Sequence, residues 1–357
     1  MRRLDVQGAS GTSRILIGQG LLEDLPRQAD QEEMVVITDQ RVAGLYQERF
    51  PTVPLIIIPQ GEEHKALDTV QHIYQELLAL EADRSTCVVG IGGGMVCDVA
   101  GFAASTYLRG LHLGLAPSSL LAQVDASVGG KNGVNFQGYK NLVGVFRQPE
   151  FVLCDLDLLQ SLDAVDIGCG FAEIVKHAAI ADAKMFELLE QRAQDVLSLE
   201  PDCLQRLVYD SVRIKAEIVN QDELEKGQRR KLNFGHTFGH ALEKVQGLPH
   251  GQAVSLGMAL AARLSVSQGL LAADKAQRLI RLLQALDLPV KIQGDPQELL
   301  EALGKDKKRQ GQSIHFVLLE DIGRAVVRPL GLQQVRQALL QLAAGNWGCF
   351  AQRRLER

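Results

Sequence analysis

Apolar and polar positions follow two different rhythms along this chain. In the first half, short β-branched runs stand out, and "RILIG", "MVVIT", "LIIIP" and "TCVVGIGGG" each read as a strand. Between the last two, "KALDTVQHIYQELLAL" places Leu67, Val70, Ile73, Tyr74 and Leu77 on one helical face. Strand–helix alternation implies a mostly parallel sheet with helices on its faces. Past residue 165 the rhythm lengthens. "FAEIVKHAAIADAKMFELLEQ", "CLQRLVYDSVRIKAEIVNQ", "QAVSLGMALAARLSVSQG" and "AADKAQRLIRLLQALD" are helix-periodic and rich in Ala, Leu, Glu and Gln. Only "SIHFVLLE" and "RAVVRPL" interrupt them as late strands. The expected fold class is an α/β N-terminal domain with a mostly parallel Rossmann-like sheet (1–165), plus a mainly α-helical C-terminal domain (166–357).

Composition narrows the function classes. At 357 residues, two domains are favoured over one core. A net charge of −5 gives no general attraction to nucleic acid or to an anionic membrane. No run approaches the roughly 20 apolar residues that span a bilayer. The start, "MRRLDVQGASGTSRILIG", lacks an apolar block behind its arginines, so no secretory leader is expected. The six cysteines form neither metal-binding pairs nor a disulfide-dense pattern, which points to reduced thiols and a cytoplasmic protein.

The candidate chemistry begins at "VVGIGGGMVCDVAGF". Gly92, Gly93 and Gly94 end an apolar strand and precede helix-compatible residues. Such a turn lets backbone amides approach a phosphate, although it also serves as a plain strand–helix turn, and the G-x-G-x-x-G fingerprint is absent. Asp39 follows "MVVIT", while Glu62 and Lys65 follow "LIIIP". Ligands of open α/β sheets bind at these carboxyl ends, where an acid can hold ribose hydroxyls. Downstream, Arg109, Ser118, Ser119, Asp125, Lys131, Lys140 and Asn141 crowd a segment poor in large apolar residues, which suits a polar ligand wall.

Three of the eight histidines lie in "NFGHTFGHALEKVQGLPHG". His236 and His240 are spaced to share one helix face, and His250 precedes a glycine where the chain can turn back. Spacing alone leaves both a metal site and scattered surface histidines open.

Taken in order, "GIGGGMVCDVAGF", "TYLRG", "AQVDASVGGKNGVN", "KNLVG", "GFAEIVKHAAI", "RRKLNFGHTFGHALE" and "HGQAVSLGM" closely resemble the 3-dehydroquinate synthase family of the shikimate route. The resemblance implies NAD and one divalent metal ion, zinc or cobalt, as cofactors, and a homodimer acting on a heptulosonate phosphate. It implies Glu173, His236 and His250 as metal ligands, with His240 meeting the substrate phosphate. Phosphate contacts would also come from Lys131, Asn141, Asn233, Lys307 and, from a neighbouring subunit, Arg109. Lys215 and Arg229 would take the substrate carboxylate; Arg230 and Lys231 compete with Arg229, and the R-x-x-L-N spacing selects it. Asp125, Lys176 and Glu225 would orient hydroxyls and water near the metal. NAD would contact Asp39, Glu62, Lys65, Gly92, Gly93, Gly94, Asp98, Ser118, Ser119, Lys140, Asn141 and Ser161. The chain departs from the family's common pattern at Ser118, Ser119, Asn132 and Ser161, each replacing a threonine, and at Val165–Asp166, where Arg–Glu is usual. Related cyclases of neutral sugars and metal-dependent polyol dehydrogenases are the rival readings.

Overall fold

The computed structural model describes residues 1–29, 33–293, 296–304, 309–310, 313–344 and 350–351. They form two compact units, one of Met1–Ile167 with Val208–Leu224, the other of Gly168–Leu207 with Glu225–Arg357. The first unit thus takes in a late segment that a split at 165 does not contain.

The first unit is built on seven strands: β1 (Arg2–Gly8), β2 (Gly11–Gly18), β3 (Met34–Asp39), β4 (Leu55–Ile58), β5 (Cys87–Gly92), β6 (His112–Pro117) and β9 (Phe151–Asp155). A separate antiparallel hairpin comprises β7 (Lys131–Phe136) and β8 (Tyr139–Phe146). The sheet order is β1-β2-β9-β6-β5-β3-β4, parallel throughout except for β1. β3, β5 and β9 are buried along their whole length, as continuous apolar runs in a parallel sheet should be. The chain leaves β3 toward β4, then returns for β5 on the other side of β3. That reversal opens a crevice at the carboxyl ends of β3 and β5, where open α/β sheets bind ligands.

In this unit the helices are α1 (Leu25–Ala29), α2 (Gln40–Tyr46), α3 (Leu67–Ala79) and α4 (Gly94–Thr106). α3 buries Thr69, Val70, Ile73 and Leu77 as its spacing requires, while Leu67, at its first turn, stays exposed. α4 is buried nearly all round, and small residues let it lie close to the sheet. A Cβ on Gly90 would come within 2.9 Å of the Ala100 Cβ.

Helices dominate the second unit. α5 (Ala164–Ala181) and α8 (Pro201–Gln221) are shared between the units. α6 (Ala183–Gln191), α7 (Ala193–Leu197), α9 (His236–Gln246), α10 (His250–Ser267), α11 (Ala273–Ala285), α12 (Pro296–Gly304) and α13 (Leu332–Ala344) belong to the second alone. An antiparallel ribbon, Ser313–Asp321 with Arg324–Gly331, supplies the late strands. The run read as one helix from 171 to 191 is broken at Asp182, whose carboxylate caps α6 by accepting from the amides of Lys184 and Met185 at 3.1 and 3.0 Å.

α10 is buried nearly all round, Arg263 included, and sits in the core. Its close approach to α9 depends on glycine: a Cβ on Gly257 would fall 2.0 Å from the Gly235 carbonyl oxygen. Gly235 itself has a positive φ of 80° and immediately precedes His236. Gly257→Ala should therefore cost at least the roughly 1–3 kcal/mol of overpacking a filled core. A lower denaturant midpoint is the expected result.

Candidate active site

Three side chains of the second unit converge. Glu173 lies in the middle of α5, His236 opens α9 and His250 opens α10. The Glu173 Oε1 is 3.5 Å from the His236 Nε2 and 3.4 Å from the His250 Nε2. Donors about 2.1 Å from one tetrahedral ion lie about 3.4 Å apart, so this spacing fits a single bound cation. One carboxylate oxygen and two imidazole nitrogens form a donor set that zinc or a neighbouring transition metal accepts.

The surroundings settle which atoms face inward. Glu173 is fully buried, and its Oε2 is taken by the Lys176 ammonium, itself buried, which leaves Oε1 toward the histidines. The His236 Nδ1 meets the Phe234 carbonyl oxygen at 3.2 Å, and the His250 Nδ1 meets the Glu243 Oε1 at 2.6 Å. Each Nδ1–H donates outward, and each Nε2 is aimed at the centre. Burial pushes the His236 imidazolium well below its ordinary range, against the pull of Glu173. Burial also disfavours the His250 cation, yet its hydrogen bonds to Glu173 and Glu243 outweigh it and raise the group to about 9. The His240 ring, half-buried, stands edge-on to His236 with centroids 5.4 Å apart.

Nearby in the second unit, Arg229 is 2% exposed whereas Arg230 and Lys231 are half-buried. Of the three, Arg229 is therefore set apart from an ordinary solvent-facing basic run. Asn233 donates to the Glu225 Oε1 at 2.6 Å, which joins two of the expected residues. Lys307 lies outside the described residues.

The first unit gathers the other expected set at the carboxyl edge of its sheet. Asp39 ends β3 and caps α2, accepting from the Val42 amide at 2.9 Å. Gly92 ends β5, Gly93 caps α4 and Gly94 is its first residue, so free amides of that helix point past the edge. Ser118 and Ser119 follow β6, with the Ser118 amide bound to the Gly92 carbonyl at 2.8 Å. Lys65 is buried in an ion pair with Asp98 of α4. Burial pushes the Asp98 carboxyl up, and Lys65 opposes this. Ser161 ends the short helical turn after β9, and its carbonyl accepts from Arg41 at 3.4 Å.

The hairpin of β7 and β8 carries Lys131, Lys140 and Asn141, all exposed. Asp125 pairs with Lys215 at 2.6 Å, so Lys215 is already half of an ion pair. Arg109 sits exposed on a turn where Leu108 and Arg109 both have positive φ, 48° and 68°.

Two organising residues escaped the sequence reading. Asn135 of β7 donates to the Glu62 Oε1 at 2.9 Å, accepts from the Asn141 amide at 2.8 Å and gives its own amide to the Lys65 carbonyl at 2.8 Å. It ties three expected cofactor contacts together, and nothing in its local sequence signals that. Glu243 lies seven residues beyond His236 on α9, a spacing that keeps it on the same face and that offered the only clue.

Comparison with known proteins agrees with this architecture. The solved 2-epi-5-epi-valiolone synthase from Streptomyces hygroscopicus, with NAD+ and Zn2+ bound, is 29% identical, with a TM-score of 0.85 covering 97% of this chain and 100% of that one. A 2-deoxy-scyllo-inosose synthase complexed with carbaglucose-6-phosphate, NAD+ and Co2+ is 26% identical, with a TM-score of 0.83 covering 95% and 99%. The fold and the Glu–His–His cluster place the chain in the class of sugar phosphate cyclases.

Within that class the assignment is finer. The model of the 3-dehydroquinate synthase N-terminal domain matches residues 55–168, and that of its C-terminal domain matches 170–309. The 3-dehydroquinate synthase of Pelobacter propionicus is 39% identical over 351 residues, covering 94% of this chain and 98% of its own. The chain belongs to the 3-dehydroquinate synthase family, enzymes of the shikimate pathway.

Proposed function

We propose that the chain converts 3-deoxy-arabino-heptulosonate 7-phosphate into 3-dehydroquinate and inorganic phosphate. One observation carries the reading furthest: in a chain of this family, the donor atoms of Glu173, His236 and His250 all lie within 4.8 Å of one another, so that they could hold one ion. The conversion is redox-neutral. A ring hydroxyl is oxidised, phosphate is eliminated, the carbonyl is reduced, and the opened ring closes by an intramolecular aldol addition. When bound, NAD supplies the hydride acceptor and donor, and a divalent ion, zinc or cobalt, supplies the Lewis acidity that the oxidised hydroxyl needs.

The chain's own residues then bind, orient and shield. Glu173, His236 and His250 would hold the ion. The sheet edge of Asp39, Gly92, Gly93, Gly94, Asp98, Ser118 and Ser119 would hold NAD, with Glu62, Lys65, Lys140, Asn141 and Ser161. Lys131, Asn141, Asn233, His240, Lys307 and Arg109 would take the phosphate. Arg229 and Lys215 would take the carboxylate, and Asp125, Lys176 and Glu225 would orient hydroxyls and water. Lys215 reaches its role only by sharing its charge with Asp125. No dedicated strong base is required if the departing phosphate removes the proton.

A second copy of the chain would complete the site through Arg109. Exposed Leu108 on its strained turn, with exposed Phe136, Tyr139, Leu142 and Phe146 on the hairpin, is the kind of apolar surface that a homodimer covers. Among the described residues, no helix is long and apolar enough to cross a membrane. A cytoplasmic site of action fits that and the biosynthetic family.

The test is incubation with the heptulosonate phosphate, zinc and NAD at a concentration far below substrate. Phosphate and the carbocycle should form together over many turnovers without NADH accumulating. One NADH per phosphate released would instead support a metal-dependent polyol dehydrogenase.

A further inference from the structure

We propose that Glu243 is a positioning residue for the metal centre, holding the His250 ring so that its Nε2 is presented to the ion. The inference rests on the proposed role of Glu173, His236 and His250 as ligands. It adds to that role an outer partner that the ligands alone do not reveal.

The two histidines are held differently. His236 is buried on α9, and its Nδ1 meets a neutral backbone carbonyl at 3.2 Å. His250 is the first residue of α10, and its side chain keeps 30% exposure, with the His236 ring packed against it at a centroid distance of 5.4 Å. What grips it is a carboxylate at 2.6 Å, a short charge-assisted contact. That contact requires a proton on Nδ1, which selects the tautomer with a lone pair on Nε2. The Glu243 side chain is only 9% exposed, so its carboxylate is not free to swing into water.

α9 thereby does two jobs. Its first residue, His236, is one ligand, and Glu243, two turns later on the same face, grips the other. The charges also balance. Lys176 draws on the Glu173 carboxylate through Oε2, which weakens it as a donor. The Glu243 carboxylate makes the His250 ring more basic and restores donor strength on the opposite side of the centre.

Zinc affinity, measured by competition with a chromogenic chelator, decides the matter in the full-length protein, its Glu243→Ala and Glu243→Gln variants, and His250→Ala. Outer partners of this kind typically carry about 10–100-fold in metal affinity. Glu243→Ala should lose that much. Glu243→Gln, whose amide oxygen still accepts from Nδ1–H, should lose less and recover most of the tautomer. The ¹⁵N spectrum of the zinc-loaded protein should show His250 protonated at Nδ1 in the unmodified chain, and a mixture or a mobile ring in Glu243→Ala. If Glu243→Ala does not fold, Glu243→Gln decides: a measurable loss with the tautomer kept supports the role. Affinities within twofold of the unmodified chain, with an unchanged His250 spectrum, would overturn it. Should His250→Ala bind zinc as tightly as the unmodified chain, the ligand assignment itself fails, a separate result.

Discussion

His250→Ala is expected to strip the protein of its metal while leaving it folded. In the proposed site the imidazole would supply one of three donors, and its removal leaves Glu173 facing a single histidine. Losing a ligand should exceed the roughly 10–100-fold that outer partners carry, and turnover should fall to near background with it. The choice of residue matters. Glu173 is fully buried against Lys176, so removing that carboxylate would leave a buried ammonium without its charge partner, a change that typically costs about 3–5 kcal/mol and confuses metal loss with unfolding. His250 is 30% exposed at the start of its helix, and truncation there withdraws one partner from the Glu243 carboxylate, which keeps 9% exposure, whereas Glu173 is fully buried. Zinc per chain by elemental analysis, alongside circular dichroism, is the measurement. Stoichiometric zinc in a folded His250→Ala protein would sink the ligand assignment.

Arg229 should decide the substrate class. Its side chain is buried in the turn before Asn233, where a planar, forked cation can pair with a planar carboxylate. Losing such a charge-assisted contact typically costs about 2–5 kcal/mol, or roughly 30- to several-thousand-fold in specificity. Arg229→Ala should lose that much against the heptulosonate phosphate and far less against a neutral heptulose phosphate. Arg229→Lys keeps the charge without the fork and should fall between the two. Steady-state kcat/KM on the two sugars gives the comparison. Equal losses on both, or an unmodified chain that prefers the neutral sugar, would move the assignment to the neutral-sugar cyclases.

The strand rhythm in "MVVIT" and "TCVVGIGGG" and the helical rhythm past residue 165 were legible because apolar periodicity is a local property of the chain. The segments read in this way form β3, β5, α10 and α11. β1, β6, β9 and the β7–β8 hairpin went unread because their apolar stretches are brief and end in glycine, proline or charge. The break at Asp182 was missed because a capping aspartate inside an alanine-rich run looks like any helical polar residue.

At the site, the sequence by itself determined the family blocks and, through them, a glutamate and two histidines far apart in number. It could not choose His250 over His240 by spacing, since His236 and His240 are the pair one helical turn apart. The family blocks named His250 instead, and the fold brings its donor atom into one group with those of Glu173 and His236. The start of α10 brings the His250 Nε2 to 3.4 Å from Glu173, and Glu243 holds the ring there. Only folding revealed that Lys215 is paired with Asp125, or that Asn135 links Glu62, Lys65 and Asn141. The physical reason is the same in each case. Periodicity records which face of an element avoids water, whereas a donor's aim depends on contacts between elements remote in sequence, fixed only when glycines such as Gly235 and Gly257 let helices close to contact.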